Sequence, residues 1–320
     1  MKKLARMGDK NPGYDYLAPD QSEITLLTRS TDADGGDMAY CSLPIGQTSV
    51  AVCHKTIHET WYFTAGVGEF WIKKGDQEEV YSVHKGSVVS LPKETLFQFR
   101  NTSADEALEM VIVTMPPWPG EGEAIKVNGK WTTSFEPDEQ AVEVTDAAVS
   151  ATAASEIASM GIFSGAARTD AFVPRLIEKP EERHYLAPDM SEIRLLTRNT
   201  DASGGDMAHC TLPAGQTSTA VKHKSIHELW YITAGEGEIW LKDGEIETVH
   251  ALKKGSYVSI PLGASFQFRT TGSESLEIVI TSMPPWPGAD EAVLVNGKWP
   301  TVMASDELDT TEENRPRMAP

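Results

Sequence analysis

Two imidazoles and a carboxylate fall close together at His54, His58 and Glu59, and the same triplet returns at His223, His227 and Glu228. A neutral imidazole is both a base and a metal ligand near neutral pH, and a carboxyl group can supply an acid or a hard oxygen donor. Two chemistries are therefore open. His54 with Glu59, and His223 with Glu228, can act as acid–base couples. Alternatively, each pair can share a divalent metal with a third ligand, for which His58 and His227 are the candidates. Each of these two precedes its glutamate in a short turn, where strand parity does not fix the side-chain direction. The plain alternatives are a surface histidine at 58 and 227 and a structural His–Glu pair, because unpaired buried charge is costly.

The elements that position these groups come in duplicate. Tyr16-Leu17-Ala18-Pro19-Asp20 returns at Tyr185 to Asp189, and residues 16–102 match 185–271 without a gap at 57 of 87 positions. After a one-residue slip the match resumes at Met115-Pro116-Pro117-Trp118-Pro119-Gly120 and Met283 to Gly288. It ends with Val127-Asn128-Gly129-Lys130-Trp131 and Val295 to Trp299. A period this long means two whole domains. The organisation expected is a tail at 1–13, a domain at 14–134, a linker or arm at 135–182, a domain at 183–304 and a tail at 305–320. Part of 141–160 could form a short helix, with no capping signal to fix its ends.

Within each copy, short runs of strand-forming residues alternate with turns. Ser22–Leu27, Met38–Leu43, Trp61–Thr64, Gly68–Ile72, Ser87–Leu91, Phe97–Arg100 and Leu108–Thr114 read as strands, with paired glycines at Gly35-Gly36 marking a turn. An all-β sandwich or small barrel is the class this pattern predicts. Alternation places His54 with Val52, and Glu59 with Trp61 and Phe63, on one side of their strands.

The glycines, prolines and polar residues match two motifs of the cupin superfamily. The first is Gly46, Val52, His54, Glu59 and Gly66, repeated as Gly215, Val221, His223, Glu228 and Gly235. The second is Gly86, Pro92, Glu94, Phe97 and Asn101, repeated as Gly255, Pro261, Gly263, Phe266 and Thr270. The chain thus resembles a duplicated cupin, and its stretch from His54 to Trp71 with the Met-Pro-Pro-Trp-Pro-Gly ending resembles small bacterial cupin-2 proteins. The resemblance implies two double-stranded β-helix (jelly-roll) barrels in tandem, paired as single-domain cupins often pair, with a homo-oligomer open. It implies that the side carrying His54 and Glu59 is the barrel interior. Metal-binding cupins use three histidines and a glutamate for iron, manganese, nickel, copper or zinc. Two of those four positions are apolar here, Val52 and Phe97, and again at Val221 and Phe266.

Trp61, Phe97, Phe99, Trp230, Phe266 and Phe268 are the aromatic side chains expected to line the pockets. Most of the recurring tryptophans read as packing. Cys41, Cys53 and Cys210 form no paired motif, and Cys41 and Cys210, at equivalent positions of the repeat, read as small core residues rather than thiolates. Alternation from Leu43 and Leu212 turns Cys41 and Cys210 inward, which leaves His209 for the surface or the rim. Gly66-x-Gly68 carries no nucleotide meaning, since no helix follows it.

Composition narrows the partners. There are 47 acidic residues against 28 basic ones, a formal charge of −19. Such a surface repels phosphate backbones and anionic membranes, and no apolar run is long enough for a membrane helix. The first residues carry no secretory pattern, so a cytoplasmic location is expected. A small-molecule ligand remains. The leading reading is a small-molecule enzyme that uses one His/Glu pair per barrel, with or without a divalent metal; for it the resemblance suggests oxygenase, lyase or isomerase chemistry. Beside it stand a metal-free acid–base catalyst, similar to epimerase and cyclase cupins, and a non-catalytic binding module. No organic cofactor site is expected.

Overall fold

The computed structural model describes residues 5–29, 32–33, 35–136, 173–198, 201 and 204–303. The helix expected within 141–160 and the tail at 305–320 lie outside the described residues.

Each half is a jelly-roll barrel made from a seven-stranded and a five-stranded antiparallel sheet. In the first half, the large sheet runs through Ser87–Leu91, His58–Ala65, Leu108–Met115, Asp37–Leu43, Glu23–Leu26 and Tyr16–Leu17. The small sheet runs from Ala124–Lys126 through Val52–His54, Leu96–Asn101 and Val67–Lys74 to Gln77–His84. Alternating residues of both sheets fill the interior. Cys41, Trp61, Phe63, Phe70, Phe97, Phe99 and Met110 belong to one buried cluster, and Cys210, Trp230, Ile232, Phe266 and Phe268 to its counterpart. The edge-on and stacked packing of Trp61, Phe70, Phe97 and Phe99, with centroids 5.1 to 5.9 Å apart, makes the barrel floor rigid.

The seventh strand of each large sheet comes from the other half of the chain. Arg6–Asp9 pairs antiparallel with Ser256–Ile260 of the second barrel, and Arg175–Glu178 pairs with Ser87–Leu91 of the first. The segment expected as an N-terminal tail is therefore partly a strand. It has only two half-buried residues, Met7 and Gly8, and so too weak an alternation to read as a strand in isolation. Side chains pin both ends in matched ways: Ser256 Oγ donates to Asp9 at 2.7 Å and Ser87 Oγ to Glu178 at 3.0 Å. Arg6 bridges Asp32, and Arg175 bridges Asp201.

The outer faces of the two large sheets meet in an apolar seam that includes Met38, Tyr40, Tyr62, Val111, Met115, Leu229, Tyr231 and Met283. His209 lies in this seam rather than at a surface or rim. It is 1% exposed, stacks on Tyr62 and reaches Glu277 through Nε2 at 2.9 Å. Outward from its own barrel is inward to the pair, which alternation within one barrel does not reveal.

The paired glycines are explained by this seam. A Cβ on Gly36 would stand 2.5 Å from the Thr114 carbonyl oxygen and 2.8 Å from Met283 Sδ, and one on Gly205 would stand 2.6 Å from the Ser282 carbonyl oxygen. Gly13 has nothing near its Cβ position. Overpacking against backbone costs about 1–3 kcal/mol. Gly36→Ala should lower unfolding stability by about that amount in denaturant titration, with Gly13→Ala near zero. Equal stability of both variants would show that the seam yields freely.

Candidate functional site

The strand Val52–His54 brings His54 to the barrel interior through its pairing with Leu96–Asn101 on one side and Ala124–Lys126 on the other. Glu59 enters from the opposite sheet, on a strand where it shares the inward face with Trp61 and Phe63 and lies across from Thr114 and Leu91. His54 Nε2 stands 3.5 Å from Glu59 Oε2, and the same oxygen accepts the Trp61 Nε1–H at 2.8 Å. In the second barrel His223 Nε2 is 3.3 Å from Glu228 Oε2, which accepts from Trp230 Nε1 at 2.9 Å. The four residues are between 92% and 96% buried.

Each pair buries two ionisable groups, and burial favours the neutral form of each. In the first barrel, burial pulls His54 down to about 3 and pushes Glu59 up to about 8, the Trp61 hydrogen bond only partly offsetting the latter. The neutral-histidine, protonated-carboxyl arrangement is the result. In the second barrel burial also pulls His223 down, but the Glu228 carboxylate outweighs it and holds the imidazole above its ordinary value. The contact is shorter there, and Ser282 Oγ adds a donor to Glu228 Oε1 at 3.3 Å. The two imidazoles are therefore pushed in opposite directions, His54 down and His223 up.

A conserved geometry in both halves closes over this pair. Asp37 accepts the Trp118 backbone N–H at 3.1 Å and Asp206 that of Trp286 at 3.1 Å. The buried Glu123 accepts from Thr56 N and Oγ1 and Ile57 N, as Glu291 does from Ser225 and Ile226. These anchors set the Trp118 ring edge-on to His54 at 5.4 Å and Trp286 edge-on to His223 at 5.5 Å. Asp20 completes the inner wall. It is buried, its carboxyl raised by burial, and it accepts Ser22 N at 2.9 Å and Ser22 Oγ at 2.6 Å.

The two barrels differ in the space left above the pair. In the first, a cavity of about 410 Å³ is lined by His54, Glu59, Trp61, Asp20, Asp37 and Trp118 among others. In the second only about 60 Å³ remains beside His223, Glu228, Trp230, Phe266 and Asp206. Tyr16 at the first mouth is 40% exposed, while Tyr185 at the second is half-buried.

Several expected site residues stand elsewhere. His58 and His227 lie on the strand face opposite Glu59 and Glu228 and line neither cavity. His58 is buried there and pulled down to about 4, by burial first and then by Lys74 and Lys93. The turn ends one residue earlier than expected, so parity does apply and turns these imidazoles away. Phe97 lies behind His54, its ring stacked on the imidazole at 5.2 Å, and Phe99 and Phe268 sit deeper in the core. Of the expected aromatic lining, Trp61, Trp230 and Phe266 face the cavities. Sequence reasoning passed over Asp20, Asp37 and Thr114. The exact return of Tyr-Leu-Ala-Pro-Asp and Gly-Gly-Asp in both copies was the available signal.

The donor set does not fit a metal well. Two donors converge in each barrel, and among the described residues no group of three or more His, Cys, Asp or Glu side chains is arranged to hold an ion. With the third imidazole turned away, an ion would have only one nitrogen and one carboxyl oxygen from the motif. Among the described residues no helix is long and apolar enough to cross a membrane.

Residues 208–282 match the family model described as the Cupin domain. An uncharacterized protein of Methanocaldococcus jannaschii is 29% identical over 112 residues, covering 34% of this chain and 86% of that protein. Among solved structures, an arginine variant of Bacillus subtilis oxalate decarboxylase superposes with a TM-score of 0.64 at 12% identity, covering 92% of this chain and 80% of that one. A tryptophan-to-phenylalanine variant of the same enzyme gives 0.64 at 13% identity, again with 92% and 80% coverage. A third structure, from work on the Mn(II) centres of that B. subtilis enzyme, gives 0.61 at 12% identity, with 92% of this chain and 80% of that one covered. At such identity the likeness concerns the fold. The family match lies in the second barrel, and the first barrel repeats its sequence and its fold.

The two-donor geometry makes a direct prediction about manganese. Protein incubated with Mn(II) and dialysed should retain far less than one equivalent per chain by elemental analysis, with no difference between wild type and a His54→Ala/His223→Ala double variant. One or two equivalents, lost in the double variant, would establish a metal centre that these donors do not account for.

Proposed function

We propose that this duplicated cupin is a metal-free acid–base catalyst that binds a small molecule in its first barrel and moves protons on it with His54 and Glu59. One observation carries the reading. A cavity of about 410 Å³, the size of ordinary small-molecule sites, opens onto a buried His–Glu pair with a neutral base and a protonated acid 3.5 Å apart. At pH 7 each group is in the state that the chemistry requires.

The roles follow from the environment of each atom. His54, stacked on Phe97 and edge-on to Trp118, has an unprotonated ring that can take a proton from an acidic C–H or O–H of the ligand. Glu59 can give its proton to the oxygen or carbon where negative charge develops. Trp61 holds Oε2 in place and stabilises the carboxylate left behind. The ligand then gains one proton and loses one, so the net change is an isomerisation or epimerisation. The imidazolium and carboxylate that remain are adjacent. Passing the proton back across the 3.5 Å gap restores the starting state without an outside acid or base.

The second barrel repeats the groups in about 60 Å³, too little for more than a few ligand atoms. It is read as the structural partner of the pair, with His223 and Glu228 in buried contact at 3.3 Å.

The test is hydrogen exchange. The protein is incubated in D2O with a panel of hydroxy ketones, sugars and keto acids, and the loss of carbon-bound protons is followed by NMR. His54→Ala and Glu59→Gln should each slow exchange by about 100-fold or more, the usual contribution of a positioned acid or base. His223→Ala should leave it unchanged. Exchange should also decline above about pH 8, where Glu59 loses its proton and can no longer act as the acid. Exchange that survives both first-barrel substitutions would sink the proposal. A cavity that binds panel compounds without exchanging them would mark a binding module instead.

A further inference from the structure

We infer that the first-barrel cavity is built for a small organic cation, a protonated amine carried on an apolar or aromatic body. The inference rests on that cavity being the working site, as proposed above, and adds the chemical class of its ligand.

The first argument is the balance of charge along the wall. Asp20, Asp37 and Glu121 line the cavity beside the protonated Glu59, whereas Arg29 is the sole lysine or arginine of the lining among the described residues, and it is exposed at the rim. The smaller cavity of the second barrel repeats the inner three carboxyl groups as Asp189, Asp206 and Glu228 and has no lysine or arginine in its lining. An anionic ligand would have to approach this wall against like charge, at the cost that proximity of like charges imposes. A cation would relieve the mutual repulsion of groups that burial already penalises.

The second argument is independent of charge and concerns unmet hydrogen bonds. His54 Nδ1 and Thr114 Oγ1 are buried and have no hydrogen-bond partner among the described residues. Their residues are 8% and 6% exposed, and both line the cavity. Thr114 shares the inward parity of Ile112 and stands across from Glu59. Its counterpart in the second barrel, Ser282, is satisfied by Glu228. A buried polar atom left unpaired is costly, so the wall is set up for something that brings hydrogen bonds with it. The indole N–H of Trp61, a donor within the wall, is already given to Glu59. The carboxyl oxygens of Asp20 and Asp37 and the Thr114 hydroxyl can all accept, so an ammonium group, which supplies donors only, finds partners on this wall.

The rest of the lining suits the body of such a ligand. Ile24, Leu26, Met38 and Val52 are apolar, and the rings of Tyr16 and Trp118 flank the approach. Aromatic rings attract organic cations, and a chain of net charge −19 raises their local concentration.

Calorimetric titration of the intact wild-type chain with benzylamine, benzyl alcohol and benzoate, three probes of nearly one shape, tests the inference. Benzylamine should bind at least tenfold more tightly than the alcohol, and benzoate should not bind measurably. Asp37→Asn keeps an oxygen for the Trp118 N–H and removes the charge, and it should weaken benzylamine at least fivefold. Arg29→Ala should leave benzylamine binding unchanged or tighten it. The inference is overturned if benzoate or the alcohol equals the amine, if no probe binds at 10 mM on the order of the weakest useful affinity, or if Asp37→Asn binds benzylamine as wild type does. Its failure is separable from that of the catalytic reading. Amine binding with proton exchange indifferent to His54→Ala and Glu59→Gln would end the latter alone, and His54-dependent exchange of neutral or anionic compounds would end the former alone.

Discussion

The two halves hold each other through the reciprocal exchange of one strand. An antiparallel sheet leaves backbone donors and acceptors open along its edge, and each large sheet here has that edge covered by a strand from the other half. The exchange fixes the two barrels face to face and creates the apolar seam of Met115, Met283 and the four tyrosine rings nearby. It also secures Ser87–Leu91, the strand paired with Glu59 on one side and with Arg175–Glu178 on the other. The position of the acid thus depends on a segment more than a hundred residues away in the chain.

Within that frame, a single physical tension defines both candidate sites. Each barrel buries an imidazole against a carboxyl, and small differences around the pair push His54 down and His223 up. Thr114 and Ser282 occupy the same position, yet only the serine reaches its glutamate. The barrel with the unsatisfied threonine is also the one with the large cavity. Two copies with most residues in common have therefore diverged through the groups beside the pair rather than through the pair itself.

Much of the fold was legible in the sequence because glycine and proline spacing reports turns directly. Ser87–Leu91 appears where it was expected, and the other core strands differ by a few residues at their ends. Gln77–His84 was not legible: its residues are mostly exposed, so it has no apolar alternation. The strand-exchange segments were hidden for a related reason, since their partners lie in the other half. For the site, His54, Glu59 and Trp61 could be placed by parity. His58 could not, until the strand was seen to begin at that residue, which sends its ring to the opposite face. Phe99 was misplaced because inward parity says which side of a sheet a residue faces and not how deep it lies. Asp20 holds the Ser22 amide two residues on, whereas Asp37 acts through the Trp118 amide 81 residues away, a relation that no local pattern encodes.

The strand exchange also imposes an order in time. A ribosome releases the first barrel before residues 175–178 exist, so that barrel emerges with an open sheet edge. Its own leading strand, Arg6–Asp9, has no place to pair until the second barrel has formed. The first sheet closes once Arg175–Glu178 has emerged, whereas Arg6–Asp9 stays unpaired until Ser256–Ile260 of the second barrel is made.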